Sequence, residues 1–279
     1  MISGTLGGSD ARLPCLAEDP IRLHVERQGE GPPIVLAHGF GGSARNFRVQ
    51  LKALGKLGAT VLSYDARGHA RSEAPEAAEA YDFERLVDDF ERVAGEVEGP
   101  VVAGGVSLGA MTALAFAVRR PERVRGLLVA SLPGIGPART AWALGFADAI
   151  DREGLDAAGA AFVWGEQSRF DPQGAKLIRL GIMEHPPHAL SHILRRTLAH
   201  LIDAPALAAP LRAGPFPVTI LAGADDKTAQ APSQALSEAL PHAKLEVVPN
   251  AGHVLNLAAQ ALFNERLKAL LDAGRPAAP

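Results

Sequence analysis

The sequence predicts an α/β fold, in which a mostly parallel, twisted sheet is flanked by helices and carries a helical cap insertion. Short apolar segments alternate with helical segments through the first two-thirds of the 279 residues, as in sheets whose parallel strands are joined by helices. Hydrophobic residues make up 47% of the chain and charged residues 21%, so a large core can form. Strand-like segments disappear between about residues 133 and 210, which indicates the insertion.

Seven segments have the composition of strands. The first, residues 21–26, alternates polar and apolar side chains, and we expect it to be antiparallel and near an edge of the sheet. The next four lack this alternation, as strands covered by helices on both faces do. The predicted strands after the first comprise residues 33–37, 60–63, 100–103, 124–130, 218–222 and 244–248.

Three helices are expected outside the insertion. Residues 83–97 carry acids and arginines on one side, which is typical of a surface helix. Residues 107–119 are nearly all apolar, which is typical of a buried helix. Residues 255–271 are expected to form a closing helix after the last strand.

The insertion is expected to contain about four helices. Trp142 and Phe146 share one apolar helix face by their spacing. A second apolar face comprises Leu190, Ile193, Leu194, Thr197, Leu198, Leu201 and Ile202. We therefore predict a core domain formed by residues 1–132 and 212–279, and a cap subdomain formed by residues 133–211.

The candidate nucleophile is Ser107, in the pentapeptide Gly105-Val106-Ser107-Leu108-Gly109. An apolar strand leads into this pentapeptide and an apolar helix leads out of it, which predicts a sharp strand-to-helix turn. Glycine on both sides of the serine would relieve crowding in that turn, because glycine has no side chain. The alternative is an ordinary glycine-rich turn in which Ser107 caps the helix.

Acyl transfer at such a serine needs two N–H donors for the oxygen that becomes charged. Leu108, at the start of the helix, would provide one donor through its backbone. Phe40, in the glycine-rich segment 38–42, would provide the second donor, and the glycines would let the chain approach closely. The alternative for this segment is a plain turn. His38 is expected to be structural because it precedes the serine and lies inside the turn.

The chain order Ser, Asp, His predicts that the general base follows the last strand. Of the nine histidines, His253 is the one that lies between strand 244–248 and the final helix. The acid should end the preceding strand, where Asp225 and Asp226 are adjacent. Asp226 is favoured because it lies three residues beyond Gly223, and Asp225 would then form hydrogen bonds within the turn.

With these motifs in this order, the chain resembles the α/β-hydrolase superfamily over nearly its whole length. Residues 65–72, DARGHARS, look like the D-x-R-G-x-G-x-S loop of that superfamily and depart from it at Ala70. The resemblance implies an α/β-hydrolase fold and a serine hydrolase in which Ser107, His253 and Asp226 form a catalytic triad.

Two segments are most similar to 3-oxoadipate enol-lactonases and related carboxylesterases: residues 107–124 and residues 252–264. Trp142 stands where that family has a tryptophan in its cap. The arginine that the family has three residues later, which binds the acid group of a dicarboxylic lactone, is replaced by Gly145. The proline expected in the loop after the triad aspartate is replaced by Gln230. The resemblance therefore implies an esterase or lactonase without identifying a dicarboxylic lactone as its substrate.

The expected activity is hydrolysis of carboxylic ester or lactone bonds of small molecules through an acyl-enzyme intermediate. Three alternatives stay open: a hydrolase-like ligand receptor, a cofactor-free perhydrolase and a carbon–carbon bond hydrolase. Haloalkane dehalogenases and epoxide hydrolases are disfavoured because they have aspartate where this chain has Ser107. The side chains predicted to bind the substrate are Trp142, Phe146, Trp164 and Met183, although such residues at helical spacing also suit a core.

Composition and motifs indicate which partners to expect. A net charge of −3 provides no electrostatic reason to expect nucleic acid or an anionic membrane. We expect no metal or organic cofactor, because no metal-ligand or dinucleotide motif occurs in a suitable context. The first ten residues lack a basic segment and an apolar core, and no stretch reaches the ~18 apolar residues of a membrane span, so a cytoplasmic protein is expected. Cys15, the single cysteine, is expected to be structural.

Overall fold

A seven-stranded sheet lies at the centre of the protein, whose computed structural model describes residues 21–166 and 170–273. The strands are β1 (His24–Gln28), β2 (Pro33–Ala37), β3 (Thr60–Asp65), β4 (Val101–Val106), β5 (Val124–Ala130), β6 (Val218–Gly223) and β7 (Lys244–Val248). They pair in the order β1-β3-β2-β4-β5-β6-β7, and each pair is parallel except β1 with β3. The predicted strands are confirmed, including the antiparallel edge strand, which begins three residues later than expected. Cys15 lies outside the described residues.

The α-helices connect these strands, form the insertion and follow the last strand. They are α1 (Arg48–Lys56), α2 (Phe83–Ala94), α3 (Leu108–Arg119), α4 (Pro137–Glu153), α5 (Leu155–Gly159), α6 (Pro172–Ile182), α7 (Pro187–Arg196), α8 (Ala204–Ala208), α9 (Lys227–Ala239), α10 (Leu255–Ala258) and α11 (Gln260–Ala273). The helix predicted over residues 255–271 is divided into α10 and α11. Over residues 21–166 and 170–273, no helix has both the length and the apolar composition needed to cross a membrane.

Helices cover both faces of the sheet because its central strands are apolar on both faces. In β4, Val101 and Ala103 pack into one core cluster, whereas Val102 packs into the other. α2, α3, α8 and α9 contribute to the first cluster, and α1 and α11 contribute to the second. Successive side chains of a strand point to opposite faces, so each covered strand needs apolar residues throughout. This arrangement confirms the predicted fold class.

Between β5 and β6, the described chain forms helices and no strand. α4 packs against α7, and the apolar faces predicted around Phe146 and Leu190 are buried together in one cluster. Tyr81 joins this cluster from the sheet region, so the insertion packs directly on the loop before α2. Ile202 was predicted on the second face but is 48% exposed, because α7 ends at Arg196.

The last part of the predicted cap packs on helices that cover the sheet, α3 and α9, rather than on the other helices of the insertion. α8 and Leu211 belong to the cluster on the face that α3 and α9 cover. The division into a core of residues 1–132 and 212–279 and a cap of residues 133–211 stays a prediction.

The loop after β3 is held by charged side chains and contains a strained alanine. Asp65 accepts hydrogen bonds from the Ala44 amide at 2.7 Å and from Arg71 Nε at 2.9 Å. Arg67 forms a buried two-bond ion pair with Asp89, at 2.7 and 2.9 Å. Between these anchors, Ala70 has a φ of 44°, in the left-handed region that favours glycine. This is the position at which the sequence departs from the glycine of the superfamily motif.

We expect Ala70→Gly to raise the free energy of unfolding by about 0.5–1 kcal/mol, because relief of backbone strain outweighs the added entropy of the unfolded chain. Urea denaturation measures the difference from the wild type. Ala77→Gly is a matched control: Ala77 is exposed and has a φ of −72°, so the same change should lower stability there. An equal loss of stability in both variants would contradict the assignment of strain to Ala70.

Candidate active site

Ser107 lies in a strained turn between β4 and α3. Its φ of 57° and ψ of −119° are rarely adopted by residues with a side chain. The Ser107 amide donates to the Ala130 carbonyl oxygen at 2.9 Å, and the Ser107 carbonyl oxygen accepts from the Ala110 and Met111 amides. The Ser107 side chain forms no capping hydrogen bond with the helix. The turn is therefore held by backbone hydrogen bonds, and it does not use the hydroxyl group as a helix cap.

Close backbone contacts explain the glycines around Ser107. A Cβ atom at Gly105 would overlap the backbone of Gly109, and a Cβ atom at Gly109 would overlap the carbonyl group of Ala37. A Cβ atom at Gly39 would lie 3.1 Å from Ser107 Cβ. The predicted reason for glycine on both sides of the serine is confirmed. The same contacts bring the loop after β2 against the serine.

The His253 imidazole is held by the Asp226 carboxylate. His253 Nδ1 donates to Asp226 Oδ2 at 2.6 Å, and both residues are buried. Asp226 Oδ1 accepts from Thr228 Oγ1 at 2.7 Å and from the Thr228 amide at 3.2 Å. Burial raises the pKa of the Asp226 carboxyl, but the hydrogen bond and charge of His253, with the Thr228 bonds, outweigh burial and hold the pKa below its usual value. In the neutral form of an imidazole, a proton on Nδ1 leaves Nε2 with a lone pair.

The neighbouring aspartate has a different environment. Asp225 is exposed, and its amide donates to the Ala251 carbonyl oxygen at 3.0 Å, so its backbone closes the turn. Of the two adjacent aspartates, the structure brings Asp226 to His253.

The Phe40 and Leu108 amides are available as hydrogen-bond donors. Beside Phe40, the Gly41 amide donates to His69 Nε2 at 3.2 Å, which fixes the loop after β2. Leu108 is the first residue of α3, where an amide has no partner within the helix. Among residues 21–166 and 170–273, no acceptor takes a hydrogen bond from either amide. Both amides therefore remain without a partner in this part of the chain, and their predicted role as oxyanion donors stays a prediction.

Three buried histidines support the loops next to the serine. His38, His69 and His185 meet edge to face, with ring centroids 4.9 and 4.8 Å apart. His38 accepts from the Ala66 amide at 2.9 Å, and His185 accepts from the Ala70 amide at 2.8 Å. His69 Nε2 accepts from the Gly41 amide in the loop after β2. A protonated ring nitrogen cannot accept, so these bonds require all three rings to be neutral.

Burial lowers the pKa of each of these rings. The pKa of His38 lies below its usual value, that of His69 lies well below it, and that of His185 falls to about 4. Neighbouring histidines lower the pKa of His69 further. Within the described ranges, no group of three His, Cys, Asp or Glu side chains could hold a metal ion. His38 accepts a backbone hydrogen bond within these loops, and its structural role stays a prediction.

Ser107 and His253 line the same cavity, which has a volume of about 70 Å³. A second cavity of about 150 Å³ adjoins it, and His253, Arg139, Trp142 and Phe170 line both. The other apolar walls of the first cavity are Phe40, Phe47, Val106, Val163, Leu177, Ile178 and Val254. The site is therefore a small, mostly apolar space with the serine and the imidazole at its edge.

The four side chains predicted to bind the substrate have different positions. Trp142 lines both cavities. Phe146 is fully buried and stacks on Phe162 at 5.3 Å, and Trp164 packs within the insertion. Met183 is 47% exposed at the end of α6. These three residues do not line either cavity, because helical spacing alone does not distinguish a face toward a cavity from one toward the core or solvent.

Sequence reasoning missed Arg139, one turn before Trp142, and Asp171. Asp171 Oδ1 accepts from the Gly174 amide at 2.7 Å and caps α6, while its Oδ2 accepts from the His253 amide at 3.0 Å. The sequence Asp-Pro does indicate a helix start. No local signal indicates that the same carboxylate reaches His253, which lies 82 residues further along the chain.

Comparison with known proteins identifies the family to which the chain belongs. The model of the alpha/beta hydrolase family matches residues 34–266. The chain is 36% identical to the uncharacterized hydrolase YraK of Bacillus subtilis over 107 residues, which cover 38% of this chain and about two-fifths (39%) of that protein. It is 27% identical to a putative 2-succinyl-6-hydroxy-2,4-cyclohexadiene-1-carboxylate synthase of Bacillus subtilis over 260 residues, which cover 88% of this chain and 93% of that protein.

Solved structures share the fold. A carboxylesterase structure from Nitrososphaera gargenis superposes with a TM-score of 0.78 at 19% identity, over 91% of this chain and 95% of that chain. An enol-lactonase from Burkholderia xenovorans superposes with a TM-score of 0.74 at 23% identity, over 90% of this chain and 97% of that chain. At these identities the similarity concerns the fold.

We expect the free energy of unfolding to decrease as the pH falls from about 6.5 to about 4. The unfolded chain binds protons at the three histidines near their usual pKa of 6.5, whereas the folded chain binds them at lower pH. The stability present above pH 6.5 is therefore lost as the pH falls. His185 alone should account for about 3 kcal/mol of this loss. Urea denaturation at a series of pH values measures the slope.

His185→Asn is the control for this pH dependence. The asparagine Oδ1 can accept from the Ala70 amide as His185 Nδ1 does, but it does not titrate. On unfolding, the variant should therefore take up about one proton fewer than the wild type does. If the free energy of unfolding depended on pH as strongly in the variant as in the wild type, the pKa of His185 would have to be the same in the folded and unfolded states, contrary to this prediction.

Proposed function

We propose that this chain, which belongs to the alpha/beta hydrolase family, hydrolyses carboxylic ester or lactone bonds of small molecules with Ser107 as nucleophile. The observation that carries the proposal is the environment of His253. Its Nδ1 donates to Asp226 at 2.6 Å, and its ring lines the same cavity as the strained serine. An imidazole held in this tautomer beside a serine can activate the hydroxyl group for acyl transfer.

In the first half of the reaction, Ser107 Oγ attacks the substrate carbonyl carbon while His253 Nε2 takes the hydroxyl proton. Asp226 holds the imidazole in its tautomer and stabilises the positive charge that forms on the ring. The protonated imidazole then gives its proton to the leaving alkoxide. The carbon–oxygen ester bond breaks, an alcohol departs and an acyl-serine remains. With a lactone the ring opens in the same step, and the new alcohol group stays part of the acyl chain on Ser107.

The negative charge that develops on the carbonyl oxygen is stabilised by the Phe40 and Leu108 amides. Neither amide has a partner within the described structure, so no hydrogen bond must be broken when the oxyanion forms. One such donor typically contributes about 3 kcal/mol to transition-state stabilisation. The N-terminus of α3 adds a favourable partial positive charge at the same place.

In the second half of the reaction, water replaces the alcohol. His253 Nε2 takes a proton from the water, whose oxygen attacks the acyl carbon, and the imidazole returns that proton to Ser107 as the acyl–oxygen bond breaks. A carboxylic acid is released and the free serine is restored. The small volume of the cavity, about 70 Å³, favours substrates with short groups on the side that faces the serine.

We expect the wild type to hydrolyse p-nitrophenyl acetate or butyrate and Ser107→Ala to lose at least roughly 10³-fold in kcat/KM, because the nucleophile is removed. Release of p-nitrophenolate measures both rates. Equal inertness of the two proteins across short acyl esters and lactones would overturn the enzyme proposal and favour a ligand receptor.

A second comparison tests the acid. Asp226→Asn should lower kcat by roughly 10³–10⁴-fold, because an amide no longer holds the imidazole tautomer or stabilises its charge. Asp225→Asn makes the same chemical change at the neighbouring, exposed position, and it should leave kcat within about twofold. The reverse order of effects would assign the acid to Asp225.

A further inference from the structure

Arg139 is a positively charged side chain in the wall of the candidate active site. It lies on α4 and lines both the cavity that contains Ser107 and the adjoining cavity beside His253. No Asp or Glu side chain of the described residues lines either cavity. Arg139 is partly exposed, but a guanidinium group that lines an apolar space without an acid is still costly to maintain, because it loses part of its hydration.

The Arg139 guanidinium has no counter-ion in the described part of the chain. Its Nε is buried and forms no hydrogen bond. Burial lowers the pKa of Arg139 to about 10, and no charged neighbour raises it again. The group still carries its charge at neutral pH. By contrast, Arg195, elsewhere in the insertion, pairs with Asp148 at 2.6 Å and with Asp151 at 2.8 Å.

The position of the guanidinium is set by an aromatic ring. Its central carbon lies 4.6 Å from the centroid of the Trp142 ring, which attracts a cation through its negative face. Trp142 is itself held, because its Nε1 donates to the Phe162 carbonyl oxygen at 3.4 Å and its ring packs on Phe146 at 5.5 Å. A cation stacked in this way keeps its N–H edge available for a ligand.

From this unpaired, oriented cation we infer that the cavity binds a carboxylate group of the substrate through Arg139. The inference rests on the proposed function and specifies its substrate class: an ester or lactone that also carries a free carboxylate. A planar guanidinium matches a carboxylate with two parallel hydrogen bonds. A phosphate dianion would call for more than one cation, and neither cavity has a second Lys or Arg in its described walls.

The carboxylate could belong to the acyl group or to the alcohol, because Arg139 lines both cavities. Two pairs of esters distinguish these sources. The acyl pair is mono-p-nitrophenyl glutarate and p-nitrophenyl pentanoate, which differ in the terminal group of the acyl chain. The alcohol pair is 4-acetoxybenzoate and p-tolyl acetate. For each pair, the measured quantity is the ratio of kcat/KM for the anionic ester to kcat/KM for the neutral ester.

We expect Arg139→Met to lower this ratio at least tenfold in one pair, mainly through KM, because methionine fills the space without a charge. Arg179→Met is the matched control: Arg179 also stacks on a tryptophan of the insertion, 5.4 Å from the Trp164 ring, but does not line either cavity. The control should leave both ratios unchanged. The pair that responds identifies the side of the substrate that carries the carboxylate.

A second readout separates a binding role of Arg139 from a structural one. Removal of an unpaired, partly buried charge should leave the Tm of the ligand-free protein unchanged or raise it. If Arg139→Met hydrolyses neutral esters but both ratios equal those of the wild type, the carboxylate site is wrong while the proposed function stands. A Tm that falls together with unchanged ratios would show a structural arginine and would overturn the inference as well.

Binding without turnover tests the site if the wild type hydrolyses none of these esters. Glutarate is titrated by calorimetry into Ser107→Ala and into Ser107→Ala with Arg139→Met. Binding to the first protein that is weakened at least tenfold in the second supports the carboxylate site although the hydrolase proposal has failed. Absence of a difference between the two proteins would overturn the site independently of any catalytic result.

Discussion

The geometry of the candidate active site depends on the close packing of the end of β2 against the start of α3. β2 and β4 are parallel neighbours, with Ala37 opposite Gly105. Because Gly109 has no side chain, the helix that follows β4 can lie directly on the Ala37 carbonyl group. Gly39 then lies against Ser107, which brings the loop that contains Phe40 to the serine. Any side chain at Gly109 would separate these two segments and the groups they carry.

The insertion does more than cover the cavity, because it supplies polar groups to loops of the sheet region. His185 accepts from the Ala70 amide, and the Asp171 carboxylate accepts from the His253 amide. These bonds satisfy backbone donors that are partly shielded from water, so their loss would be costly. The loop after β3 and the loop that carries His253 are therefore held partly by residues more than 80 positions away in the chain.

Local patterns predicted the parts of the protein that short-range physics decides. The strands before and after Ser107 were predictable because a strand covered on both faces must be apolar throughout. The strained turn was predictable because its neighbours have to be glycine. Phe146 and Met183, predicted to bind the substrate, line neither cavity, since a helical repeat identifies a face but not what that face meets. Ile202 was predicted on the apolar face of α7 for a related reason. Its spacing fits that face, but the helix already ends at Arg196.

The sequence by itself determined the fold class, the serine turn and the order in which Ser107, the two aspartates and His253 occur. These features follow from backbone sterics and from apolar periodicity within some twenty residues. Only the tertiary structure decided that Asp226 rather than Asp225 meets His253, and that Arg139 reaches the cavity without a counter-ion. The first outcome depends on how the turn after β6 meets the loop after β7, and the second on how the insertion packs on the rest of the protein. Both depend on contacts between segments far apart in the chain, which leave no local pattern.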